Sequence, residues 1–132
     1  MRNKGFTLIE IMLVVAIIGI LAAMVVPRLT GRTKQAREAV AKADIEVNMP
    51  MALDLYELDI GEFPSGLGSL MDNTDNKDDW KGPYLKRVPK DPWGREYIYN
   101  NPGSHNKYGF DLSSSGADGQ SGTNDDITNW EE

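Results

Sequence analysis

Phe6-Thr-Leu-Ile-Glu-Ile-Met-Leu-Val-Val-Ala-Ile-Ile-Gly-Ile-Leu-Ala-Ala-Met-Val-Val26 decides how the rest of this 132-residue chain is read. Eighteen of these 21 residues are apolar. Wound as a helix they span about 31 Å, the hydrocarbon thickness of a bilayer. Outside the stretch only about a third of the residues are apolar, which is thin for a packed core and argues against a buried soluble helix. A removed secretory signal also starts with basic residues, here Arg2 and Lys4. Its apolar core is shorter, however, and no small-residue cleavage pattern occurs across Leu21–Pro27. The segment is therefore expected to stay in the mature chain as a membrane span.

Glu10 is the only charge inside it. An ionised carboxylate in hydrocarbon costs at least about 2 kcal/mol, so it needs either the headgroup region or a cation. Spacing allows both: Glu10 snorkels from the segment's end, or it meets a positive group on a neighbouring chain. Orientation stays open too. Arg2 and Lys4 precede the segment, while Arg28, Arg32, Lys34 and Arg37 follow it, so positive charge does not favour one side.

The formal charge of −6 lies wholly in residues 61–132, because residues 1–60 balance seven basic against seven acidic side chains. A net-acidic distal half argues against nucleic-acid binding, which needs a cationic face. The chain has no cysteine, hence no disulfide and no cysteine-based zinc or redox site. A distal part so small and so poor in apolar residues is marginal without some staple.

Beyond Pro27, Ala36, Val40, Ala43, Val47, Met51, Leu55 and Leu58 recur at three- and four-residue spacings and draw an apolar stripe. The pattern predicts a helix from about Phe6 to about Asp59, ended by Gly61 and Pro64. Pro27 and Pro50 should kink it, or Pro27 marks a place where it melts on packing; Gly31 adds a weak point. The basic cluster from Arg28 to Lys42 fits a solvated face or contact with acidic neighbours and headgroups.

Ten glycines and five prolines in residues 61–122 make turns dominant there. Tyr97-Ile-Tyr99 and Tyr108-Gly-Phe110 read as a hairpin, with a short strand expected near Tyr84-Leu85 or Arg87-Val88. The fold class is α+β, a long N-terminal helix whose apolar stripe is covered by a small antiparallel sheet.

Residues 111–126 contain four aspartates and no basic residue. Hard oxygen ligands on a glycine-rich loop suit calcium, but the twelfth position counted from Asp118 is Asn129, which excludes an EF-hand. Spacing alone serves a solvated acidic loop equally well. Asp72, Asp75, Asp78, Asp79 and Asp111 read as surface charges or caps, and His105 as an exposed turn residue. Trp80, Trp93 and Trp130 read as packing anchors, with Trp130 placed to seat the tail.

No cysteine nucleophile, phosphate-binding loop or arguable Ser/His/Asp set is present, so the chain is not expected to be an enzyme. A hydrolase built on Asp118 and Asp125 needs a cleft that so small a domain is poorly equipped to form. A monomeric, single-span calcium-binding protein leaves Glu10 and the Gly5–Phe6 junction unexplained.

Lys4-Gly5-Phe6-Thr7-Leu8-Ile9-Glu10 resembles the prepilin peptidase motif of type IV pilin-like proteins. The resemblance implies a leader at residues 1–5 cut after Gly5, a methylated mature N-terminus at Phe6, and the Phe6 amino group of an adjacent subunit as partner for Glu10. Carboxylate and ammonium attract strongly in low dielectric, where either alone is costly.

Ala52-Leu-Asp-Leu-Tyr-Glu-Leu-Asp59, Gly82-Pro-Tyr-Leu-Lys86, Pro89-Lys-Asp-Pro-Trp-Gly94 and Gly116-Ala-Asp-Gly119 are similar to the major pseudopilin family of the type II secretion system, over essentially the whole chain. That family has a type IV pilin-like fold. Its pattern implies a transmembrane and filament-core helix at 6–26, an amphipathic stalk at 27–60 and a periplasmic globular part at 61–132. The chain would be a single-pass protein of the bacterial inner membrane with its C-terminal domain in the periplasm. There, as the resemblance implies, it would form a homopolymer joined by minor pseudopilins. An inner-membrane assembly platform and its ATPase would drive growth, and the filament would help push folded proteins through an outer-membrane secretin.

The resemblance also implies calcium in the acidic loop. Its ligands would be the side chains of Asp118, Asp125 and Asp126 and backbone oxygens near Ser115, Ser121 and Thr123. Two positions depart from the family pattern: Pro50, in a stretch usually helical, and Ser115, commonly leucine. A type IV major pilin for adhesion, motility or DNA uptake is the alternative, though such pilins often carry the disulfide this chain cannot form.

Overall fold

The computed structural model describes residues 4–131, and of residues 27–30 the backbone only. The start of the expected leader, residues 1–3, and the side chains of Pro27 and Arg28 lie outside the described residues. The chain packs as two units that divide after Ala36.

The first unit is the opening of helix α1 (Leu8–Ala43). Thr7 starts it with a reciprocal cap. The Thr7 N–H and hydroxyl both donate to Glu10 Oε2, at 2.8 and 3.0 Å, and the Thr7 hydroxyl oxygen accepts the Glu10 N–H at 3.3 Å. This Thr-x-x-Glu arrangement satisfies amide groups that a helix start leaves unpaired. Helical backbone continues through Pro27. The helical run from Leu8 is long and apolar enough to cross a membrane, with a mean hydropathy of 2.9 in its best window.

The second unit, Arg37–Glu132, carries the core. Here α1 gives way to a π-helical turn (Asp44–Asn48), followed by α2 (Met49–Ile60). The Met49 N–H reaches back five residues to the Asp44 carbonyl. Pro50 explains the widening. A proline inside an α-helix crowds the carbonyl four residues earlier and offers it no N–H. The wider turn relaxes that crowding and leaves Pro50 in the first turn of α2, where a missing donor is tolerated. Gly61 ends α2 at φ 91°, with its N–H on the Glu57 carbonyl at 2.6 Å.

The expected apolar stripe is not the buried one. Val40, Val47, Met51, Leu55 and Leu58 are exposed. The covered face instead runs Ala41, Ile45, Met49, Ala52, Leu53 and Tyr56, packed with Leu70, Tyr97, Phe110 and Leu112. Both rows have helical spacing, so periodicity could not choose between them. The buried row holds Tyr56, a large ring whose hydroxyl finds a partner in Asp75 at 3.0 Å.

The sheet is antiparallel, in the order β1 (Ile98–Asn100), β2 (Asp111–Ser114) and β3 (Ile127–Thr128). Tyr99 faces Leu112 across the first pair, and Ser114 faces Ile127 across the second. Two strand expectations are corrected. Tyr108-Gly-Phe110 is no strand: the Gly109 N–H closes a turn on the Asn106 carbonyl, and Tyr108 stands in solvent. Tyr84 and Leu85 form no ladder either, because both amides donate to the Leu70 carbonyl at the end of the short 3-10 turn Leu67–Leu70. The third strand comes from beyond the acidic loop.

Leu53→Ala is expected to lower unfolding free energy by about 2–5 kcal/mol, the usual result of emptying a closed core position. Leu58→Ser should change it by less than about 0.5 kcal/mol. Denaturant titration of the detergent-solubilised chain checks both; the opposite order would restore the expected stripe.

Candidate functional site

Two places gather the residues singled out by sequence. At the N-terminus, Gly5 and Phe6 lie in exposed, irregular backbone just ahead of α1. A peptidase can reach such a junction, whereas a helical one presents no extended strand. Glu10 is engaged locally by Thr7, an occupant that the sequence had signalled through the Thr-x-x-Glu spacing and that was missed.

The acidic loop, residues 115–126, is the connection between β2 and β3. Its two ends are therefore fixed by the sheet, at Ser113 opposite Thr128 and Ser114 opposite Ile127. The loop folds back at Gly116, whose φ of 59° is left-handed and whose α-carbon lies against the Asp125 backbone and carboxylate. No side chain fits there. Asp125 Oδ2 accepts the Asp118 N–H at 2.9 Å, so two expected ligand residues are linked directly. Asp125 Oδ1 accepts the Thr123 hydroxyl at 2.5 Å, and the same hydroxyl lies 3.5 Å from Asp126 Oδ1. The Thr123 hydroxyl, followed by the Asp118 amide, holds the Asp125 carboxyl below its ordinary pKa.

Backbone amides of the loop take up the other carboxylates, with the Gln120 N–H on Asp118 at 2.8 Å and the Gly122 N–H on Asp126 at 2.6 Å. Ser115 and Ser121 meet through their hydroxyls at 3.2 Å. The Ser115 carbonyl accepts the Gly119 N–H, and the Thr123 carbonyl accepts that of Asp126. The donor set is all hard oxygen and fits calcium in chemistry. Among the described residues, no three His, Cys, Asp or Glu side chains are already drawn together as a metal-holding group.

An open cleft of about 560 Å³ lies beside the loop, lined by Thr123 and Asp126 on one side and His105 and Trp130 on another. Neither Asp118 nor Asp125 lines it, which removes that cleft as the seat of a hydrolytic carboxylate pair.

Asp111 is a correction. It is buried, not a surface charge. Its carboxylate accepts the amides of Ser104, His105 and Asn106 at 2.8–2.9 Å and lies 3.0 Å from His105 Nδ1. The His105 ring in turn stacks on Trp130 at 4.1 Å, so this exposed histidine does seat the tail. Burial opposes ionisation of Asp111, but the amide and imidazole donors win and pull its pKa down to about 2. Asp91 was also missed as a site residue. Asp91-Pro-Trp-Gly94 is a turn by composition, with the Gly94 N–H on the Asp91 carbonyl at 2.9 Å. The buried Asp91 carboxylate accepts the Ser114 hydroxyl at 2.8 Å, one residue before the acidic loop.

A carboxyl whose folded pKa is depressed contributes stability that is present above its ordinary value of 3.8 and lost as pH falls through about 2. Asp75 adds to the same window, chiefly through the Ser65 hydroxyl. Asp111→Asn should therefore be less stable than the parent at pH 6 and lose less on acidification to pH 2.5, as read by denaturant titration at both values. An unchanged slope would place Asp111 outside the pH response.

Comparison with known proteins gives two family matches: residues 28–130 match type II secretion system (T2SS) protein G, and residues 1–26 match the prokaryotic N-terminal methylation motif. The chain is 49% identical to the type II secretion system core protein G of Pseudomonas aeruginosa, covering 98% of this chain and 96% of that one. It is 46% identical to the core protein G of Escherichia coli K12, covering 98% and 92%. Among solved structures, the major pseudopilin of the type 2 secretion system of enterohaemorrhagic Escherichia coli is similar with a TM-score of 0.66 and 33% identity, over 77% of this chain and 89% of that chain.

Proposed function

The chain belongs to the type II secretion system protein G family, and from that premise we propose how it serves as a major pseudopilin, the repeating subunit of a periplasmic filament. The family sets aside the adhesion or motility pilin as the alternative. The observation that carries the mechanism is the pattern of uncovered apolar surface. Phe6, Leu8, Ile9 and the large apolar side chains through Val26 are all about half exposed or more. In the second unit the row Val40, Val47, Met51, Leu55 and Leu58 is also bare. Monomeric soluble proteins rarely leave so long an apolar run in water. A bilayer covers the first set before assembly, and copies of the same chain cover both afterwards. Such a contact joins different faces of identical subunits, and it generates an open helical filament in place of a closed ring.

Processing by prepilin peptidase after Gly5 frees the Phe6 amino group. Glu10 then exchanges its Thr7 cap for, or shares it with, the Phe6 ammonium of a neighbour, which keeps the carboxylate neutralised as lipid gives way to protein. The span sits in the bacterial inner membrane with the C-terminal unit in the periplasm. The assembly platform and its ATPase, the minor pseudopilins and the outer-membrane secretin are the partners, and the role is structural, not catalytic.

In the acidic loop, Asp118, Asp125 and Asp126, with backbone oxygens of Ser115, Ser121 and Thr123, would hold calcium. The ion supplies positive charge and ties the two ends of a loop that has no disulfide. What supports this is the all-oxygen donor set, the direct Asp118–Asp125 link and the convergence of Asp125 and Asp126 on Thr123.

Mass spectrometry of the mature chain tests the first step: it should begin with methylated Phe6, and an uncut or differently cut terminus would refute the processing scheme. Glu10→Leu should leave the chain in the membrane and abolish filaments by electron microscopy. For the metal, calcium at a hundredfold excess over Kd should add about 2.7 kcal/mol of stability. Asp118→Ala should remove that gain, and a melting curve indifferent to calcium chloride and chelator would sink the calcium assignment.

A further inference from the structure

We propose that Arg95 is a positioning residue for the acidic loop: its guanidinium grips the loop where the chain folds back, presetting it for a hard divalent cation. The cation part rests on the calcium assignment above; the grip does not.

The geometry begins one turn earlier. Asp91 Oδ1 accepts the amides of Trp93, at 3.1 Å, and Arg95, at 2.8 Å, and the Asp91 N–H donates to the Arg95 carbonyl at 2.7 Å. The backbone of Arg95 is thus fixed by a carboxylate that is itself buried. From that base the side chain reaches the loop. Its Nη2 donates to the Gly116 carbonyl, and its guanidinium lies close to Gly119, where a β-carbon would come within 2.8 Å of Nη1. Gly116 is held from the other side as well. Its N–H meets the Ser114 hydroxyl at 3.3 Å, and that hydroxyl donates to Asp91 Oδ2. Gly116 is therefore held on its N–H by Ser114, which Asp91 anchors, and on its C=O by Arg95, which Asp91 positions.

Gly116 is the pinch point against Asp125, and Asp125 accepts the Asp118 amide. Whatever fixes Gly116 therefore bears on the Asp125 carboxylate and, through it, on the Asp118 backbone. Folding alone gives a poor reason for this arrangement. Arg95 Nε is buried with no hydrogen-bond partner among the described residues, and it lies 3.8 Å from Asp91 Oδ2, too far for a good bond. The arrangement accepts an unsatisfied donor in order to bring the guanidinium to Gly116.

Electrostatics makes the test decisive, because a cation beside a cation site repels the ligand. If Arg95 acted only through its charge, neutralising it would tighten calcium binding. If it positions the loop, neutralising it weakens binding, and Arg95→Lys, which keeps the charge but not the planar fork, weakens it too. The full chain in detergent micelles is titrated with calcium chloride by calorimetry, as parent, Arg95→Met and Arg95→Lys. Amide hydrogen exchange of residues 116–119 is measured in chelator on the same three proteins.

Affinity should fall about tenfold or more in both variants, the usual consequence of losing a group that orients metal ligands. Exchange at 116–119 should accelerate in both without calcium. Unchanged or tighter binding by Arg95→Met overturns the positioning role. A parent that does not bind calcium overturns the metal assignment alone; the grip then stands or falls on the exchange data, and unaltered protection in Arg95→Met and Arg95→Lys defeats it. A general loss of stability with undiminished calcium affinity reduces Arg95 to a packing residue and also defeats the proposal.

Discussion

Everything distal hangs on a single row of side chains, Ile45, Met49, Leu53 and Tyr56, all fully buried along one face of the helical run. The chain has few other apolar residues to spend on a core, and no cysteine. What supplements that row is a repeated device in which a tyrosine packs its ring on the core, fully or partly buried, and passes its hydroxyl to an oxygen at the edge. Tyr56 reaches Asp75 at 3.0 Å, Tyr84 reaches Asp59 at 2.8 Å, Tyr97 reaches Asp44 at 2.8 Å, and Tyr99 reaches the Pro64 carbonyl at 2.9 Å. Each contact joins segments at least 19 residues apart in sequence. The rings supply apolar area, and the hydroxyls fix register, which a small greasy core alone would leave loose.

Much of this was legible in the sequence where one local signal dominates. The apolar segment, the end of α2 at Gly61 and the acidic loop announce themselves through composition, through a glycine that must take positive φ, and through a run of carboxylates. The buried face of the helix did not. Two apolar rows of equal periodicity run along it, and the choice depends on Asp75 and on Leu70, residues remote in sequence. The strands failed for a related reason. Asp111 looks like a surface charge until three successive amides wrap it, and that nest lengthens the loop and pushes β2 to residues 111–114. Likewise Asp91 reads as a turn residue, and its second task, receiving Ser114 from the neighbouring strand, exists only after folding.

The two ends of the chain handle charge by the same logic. Glu10, alone in an apolar segment, is given hydrogen-bond donors by Thr7. The aspartates of the acidic loop are given donors by their own amides and by Thr123. In each case the carboxylate is satisfied locally but not sealed away, which leaves it open to the cationic partner proposed for it. A polymer subunit needs this property: it must be stable before it meets its neighbours and still have something to gain when it does.

The π-helical turn at Asp44–Asn48 has an evolutionary corollary. Removing one residue from an ordinary stretch of helix rotates everything beyond it by about 100° and turns the buried row toward solvent. A π turn holds nearly one residue more than an α turn, so a deletion inside it can be absorbed by tightening, with α1 and α2 kept in phase. Lineages related to this chain can therefore vary in length here, and the substitution to accompany such a deletion is the loss of Pro50, the residue for which the extra width makes room.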